Sequence, residues 1–66
     1  MTIDIKGLGK ITASKEVLNL LSAMAYDAET TQANKNHDAI ARQYSGIANN
    51  IYDALLECGY YNDVMN

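Results

Sequence analysis

One cysteine, Cys58, and one histidine, His37, leave this chain of 66 residues neither an internal disulfide nor a Cys/His metal cage. The absence of any staple is the strongest limit on what it can fold into. At this length the entropy lost on ordering nearly cancels what burial returns, so a lone copy is expected to be marginal and to be completed by self-association. The 48% apolar content suffices for one core and the chain is too short for two, so a single small domain over 1–66 is expected.

The apolar pattern gives an α+β, mainly helical architecture. Residues 1–13 form a β-hairpin: Ile3 and Ile5 alternate with Asp4 and Lys6, and glycines flank Leu8 before Lys10-Ile11-Thr12 resumes strand chemistry. A Gly7-Leu8-Gly9 loop sets Ile5 opposite Ile11, Ile3 opposite Ala13 and Lys6 opposite Lys10. Ser14 caps a first helix over 15–30, in which Val17, Leu18, Leu20, Leu21, Met24, Ala25 and Ala28 recur at steps of three and four. The apolar repeat lapses over 30–36, although neither glycine nor proline enforces a break there. One continuous helix to Cys58 is the alternative.

A second amphipathic helix over 37–58 carries Ile40, Tyr44, Ile47, Ile51, Ala54 and Cys58 as its stripe, with Leu55 widening it. The two helices make a helical hairpin. Because the second is the longer, its stripe should overhang, and Ile40, Tyr44, Ile47, Ile51 and Leu55 are the expected seam between copies. Small residues, Ala41, Ser45, Gly46 and Ala48, should admit another helix closely, and Cys58 should end the stripe as a small buried group. Gly59 suits a left-handed C-cap that folds Tyr60 back on Leu55, with 59–66 as a C-terminal tail.

Charge argues about partners. Eight acids against five bases give a net charge of −3, the wrong sign for holding nucleic acid through its phosphates. The bases lie early and the acids late, which favours head-to-tail contacts or an acidic surface facing a basic partner. No apolar run approaches a membrane span or a signal core, and a cytoplasmic protein is expected.

Few residues suggest chemistry. Gly7-Leu8-Gly9-Lys10 lacks both the third glycine of a dinucleotide fingerprint and the spacing of a P-loop, and reads as a hairpin turn. The stretch from Asp27 to Asp38 has Gln32 and Asp38 where a calcium loop needs glycine and glutamate. His37 beside Asp38 resembles an oriented base, but nothing completes a catalytic set. No enzyme activity, cofactor or metal is therefore expected. All five aromatics are tyrosines, four of them in the acidic last third, where Tyr52, Asp53, Glu57, Tyr60 and Tyr61 make a candidate protein-binding surface.

The function expected from these features is a small acidic protein-interaction module acting as a homo-oligomer and presenting that surface to a larger, basic protein. In size and charge the chain resembles the accessory or inhibitory proteins that phages and mobile elements encode. A different class of function is an oligomeric binder of a small anionic ligand such as a nucleotide, held at a subunit interface by Lys10, Ser14, Lys15 and Arg42.

Overall fold

A computed structural model describes the backbone of residues 1–65 and the side chains of residues 1–62; the acidic charge of Asp63 thus lies outside the described side chains. Two strands, β1 (Thr2–Ile5) and β2 (Gly9–Thr12), pair antiparallel with Thr2 opposite Thr12, Ile3 opposite Ile11, Asp4 opposite Lys10 and Ile5 opposite Gly9. This register is displaced by two residues from the one the sequence suggests. The loop is Lys6-Gly7-Leu8, closed by the Leu8 N–H donating to the Ile5 carbonyl at 2.9 Å, and Gly9 enters the ladder. Gly7 at φ 83° and Gly9 at φ 118° both use backbone that side chains disfavour, which fixes where the turn falls. A slip of two keeps the same side chains on the same face, so the isoleucines still point inward. It also replaces a repulsive Lys6/Lys10 pair by an attractive Asp4/Lys10 pair.

The first helix, α1 (Lys15–Asn34), begins as expected: the Ser14 hydroxyl accepts the Val17 N–H at 3.1 Å, and Glu16 stands in the first turn. It ends four residues later than the lapse in the apolar repeat implies. Thr30 and Thr31 do not leave the helix; their hydroxyls donate to the carbonyls of Tyr26 and Asp27 at 3.2 and 3.0 Å. The break comes at Asn36, which takes φ 64°. The Asn36 N–H donates to Ala33 and the His37 N–H to Gln32, at 3.0 and 2.9 Å, the paired bonds of a Schellman cap with asparagine in the place glycine usually holds. The helices are therefore separate.

The second long helix, α2 (Asp38–Glu57), has 20 residues, the same number as α1, so each is about 30 Å long and the expected overhang does not exist. Gly59 at φ 79° then reverses the chain as anticipated. A short helix, α3 (Tyr60–Met65), stands in place of the expected tail. Tyr60 folds into the core at 8% exposure. Cys58 is exposed and its thiol donates to the Leu55 carbonyl, because the C-cap directs it outward from the end of the stripe.

The helices run antiparallel. Ser22 donates to the Ala48 carbonyl at 3.3 Å, Tyr26 to Asn49 at 2.9 Å, and Tyr61 beyond the end of α2 to Asn19 near the start of α1 at 2.9 Å. Ala41 and Ala48 are buried, so the small residues of α2 do admit a helix closely, and that helix is α1 of the same chain. Gly46 takes no part. A Cβ built on it meets nothing within 4 Å, so crowding does not explain a residue that costs a helix interior about 1 kcal/mol relative to alanine. The core gathers Ile3 and Ile5 from β1, Leu18 from α1, Ile51 and Leu55 from α2, and Tyr60. Ile51 and Leu55, at 1% and 0% exposure, thus serve the chain's own interior, where the sequence suggested a seam between copies.

Asn36 is the joint on which the two-helix fold turns. Asn36→Gly is expected to leave urea stability unchanged or slightly raised, whereas Asn36→Val should lower it by about 1 kcal/mol, since a β-branched residue resists positive φ. Equal stability of the two variants would show that the left-handed cap is not formed.

Candidate interaction surfaces

Helical spacing divides the α1–α2 pair into two flanks. On α1 the line Leu18, Ser22 and Ala25 faces α2; Asn19 and Tyr26 fall to one side of it, and Leu21 and Ala28 to the other. The same division holds on α2, with Asn49 and Tyr52 on the first flank and Tyr44 and Ile47 on the second.

The first flank is a tyrosine face. Tyr52 and Tyr61 approach with ring centroids 5.3 Å apart at 35°, and Tyr60 meets Tyr61 edge-on at 5.3 Å and 78°. Tyr61 is half-buried and anchored through its hydroxyl to Asn19 Oδ1, while Tyr52 is 39% exposed and free to offer its ring. Burial, followed by the neighbouring phenols of Tyr52, Tyr60 and Tyr26, raises the Tyr61 pKa above the ordinary 10.0. Asp53 and Glu57 are exposed on the same C-terminal half of α2. Of the five residues proposed from sequence for protein binding, Tyr52, Asp53, Glu57 and Tyr61 reach the surface in full or in part, and Tyr60 belongs to the core. Sequence reasoning missed Tyr26, Asn49 and Asn19. Tyr26 lies off the apolar stripe of α1, which was the available signal, but its partner Asn49 becomes visible only when the helices pair.

The second flank is apolar. A groove of about 380 Å³ opens between α1, α2 and the hairpin, walled by Leu21, Met24 and Ala28, by Tyr44 and Ile47, and by Ile11. Beside it Leu20 and Met24 stand 62% and 64% exposed, so α1 carries apolar side chains outward as well as inward. Of the expected seam, Tyr44 and Ile47 line this groove, Ile51 forms part of its floor, and Ile40 is exposed nearer the start of α2.

The four residues suggested for an anion are not gathered within the chain. The Ser14 hydroxyl is engaged as the cap of α1, and Lys10 stands opposite Asp4. Lys15 follows the open end of the hairpin, whereas Arg42 lies at its closed end, where it lines a cleft of about 280 Å³ with Lys6, Gly7, Leu8, Gln43 and Gly46. His37 is exposed at the helix connection with Nδ1 2.8 Å from Gln32 Oε1. Among the described residues no three His, Cys, Asp or Glu side chains gather as a metal set, and no helix is long and apolar enough to cross a membrane. No protein-family model, no curated protein and no solved structure matches the chain.

The elevated Tyr61 pKa ties stability to alkaline pH. The folded state holds the Tyr61 proton more tightly than the unfolded chain, so its contribution is complete below the unfolded value near 10.0 and is lost as pH rises toward the folded value. A melting temperature that falls above about pH 10, with the fall reduced in Tyr61→Phe, is expected. The difference between the tyrosinate absorbance titrations of the native chain and Tyr61→Phe should place the Tyr61 phenol above 10.0; a difference centred at or below that value would contradict the raised pKa.

Proposed function

We propose that the protein is a small interaction module that binds a basic segment of a larger protein on its tyrosine face. One observation carries the reading: Tyr52 lies open beside the anchored ring of Tyr61, on a stretch of chain, 43–62, that holds Asp53 and Glu57 and no basic residue. An arginine or lysine laid on an exposed phenol ring gains cation–π attraction, and flanking carboxylates steer it there. Tyr61, already fixed by Asn19, loses little freedom on binding, which favours its use as an anchor.

A second feature supports self-association as part of the same reading. The groove walled by Leu21 and Tyr44 and the exposed Leu20 and Met24 lie side by side on one flank, and a second copy laid over them would remove that apolar surface from water. The module would then act as a homo-oligomer in the cytoplasm, in the manner of the phage- and mobile-element accessory or inhibitory proteins that its size and charge resemble. An inhibitor of this kind would occupy the positive surface of its target.

The two surfaces can be tested apart. An arginine-rich peptide is expected to bind with an affinity that falls as salt rises, and Tyr52→Ala and Asp53→Asn should each weaken it about tenfold. Binding that is unchanged by both substitutions would remove the tyrosine face from consideration. Sedimentation across a range of concentrations is expected to show association that Met24→Glu abolishes without loss of helical content. A stably folded monomer at every concentration would refute self-association.

A further inference from the structure

We propose that the cleft between the hairpin turn and the middle of α2 binds a phosphate monoester. It lies apart from the tyrosine face, adjoins the apolar groove, with which it shares Ile5 and Ile47, and stands on three observations. Two of the chain's five basic residues, Lys6 on the turn and Arg42 on α2, line this one cleft from different elements, and among the described residues no acidic side chain lines it with them. In a chain with a net charge of −3, that local excess of two positive charges runs against the overall balance. A phosphate monoester carries about −1.5 to −2 at neutral pH and so matches the pair, with the guanidinium supplying a planar fork of donors.

The second observation is the floor. Ile5 and Ile47 lie at its base and Leu8, 62% exposed, at its edge, so the cleft pairs cationic groups with an apolar shelf. Free phosphate uses only the first of these. An organic phosphate uses both, its ester group resting on the isoleucines while the amide of Gln43 offers a further donor.

The third is Gly46. It sits inside α2 with an ordinary helical backbone, and a Cβ there would project into open space, so neither conformation nor packing within the chain requires glycine. It does line the cleft. A side chain at this position would take room from a ligand seated between Lys6 and Arg42, which accounts for a glycine that weakens its own helix.

The test uses the full chain and phenyl phosphate as probe, with inorganic phosphate and benzoate beside it, followed by amide chemical shifts. Phenyl phosphate is expected to shift Lys6, Gly7, Arg42 and Gly46 together and to bind more tightly than either control. Arg42→Gln and Lys6→Gln should each weaken it about tenfold or more. Gly46→Ala should weaken it as well while raising Tm by several degrees, a combination that damage to the fold does not produce. Shifts spread equally over Lys15 and Lys35, benzoate binding as tightly as phenyl phosphate, or full affinity in Gly46→Ala would each overturn the proposal.

Discussion

Everything in this molecule rests on the seating of Ile3 and Ile5 against Leu18, Ile51 and Leu55. A two-stranded hairpin has no stability of its own in water, and two isolated 20-residue helices with this composition have little more. Each element gives the shared core one or two large side chains, and none can leave without exposing the others. Tyr60 closes the cluster from beyond α2, which is why Gly59 must turn the chain back at a positive φ. A core of this size satisfies only one line of α1, so the outward apolar residues of that helix are surplus to folding the single chain.

The parts legible from sequence were those set by local chemistry. Ser14 as a cap, Gly59 as a reversal, the two amphipathic stripes and the isoleucine face each follow from residues within one turn or strand. What escaped were features decided by competition between local signals or by tertiary pairing. The hairpin had two glycines and so two ways to place its loop, and the choice fell on the register that sets Asp4 across from Lys10. Thr30 and Thr31 look like helix breakers by propensity, yet their hydroxyls fold back onto carbonyls and let the helix continue to a left-handed asparagine. Those extra residues erased the overhang on which the expected seam depended. Among the candidate binding residues, the return of Tyr60 toward Leu55 was legible from Gly59, whereas the stacking of Tyr61 on Tyr52 and its bond to Asn19 arise only once α3 and the helix pair are in place. The cleft at Lys6 and Arg42 joins residues far apart in the chain, and no linear pattern announces it.

Antiparallel pairing also changes the meaning of the charge gradient. Read along the chain, bases come first and acids last, as if the molecule had a positive head and a negative tail. The fold places the start of α1 beside the end of α2, as the Tyr61–Asn19 bond shows, so Lys15 stands at the same end of the helix pair as Glu57. Short-range complementarity at a single face then matters more than the field of the whole molecule, since surface charges separated by more than about 8 Å are largely screened at physiological salt.

The division of labour between the flanks arises from the same packing. Ser22 and Ala48 are buried where α1 meets α2, with the Ser22 hydroxyl donating to the Ala48 carbonyl, and the bulky residues beside that contact are displaced to either side. On one side the displaced residues are tyrosines and asparagines that bond to one another, making a face that is ordered before any partner arrives. On the other they are Leu21, Met24, Tyr44 and Ile47, which the hairpin covers only in part. A face already ordered by Asn19 and Asn49 gives up little entropy when it binds, while an apolar groove gains from being covered by whatever fits it. In the proposed reading, recognition therefore falls to the tyrosines and assembly to the groove.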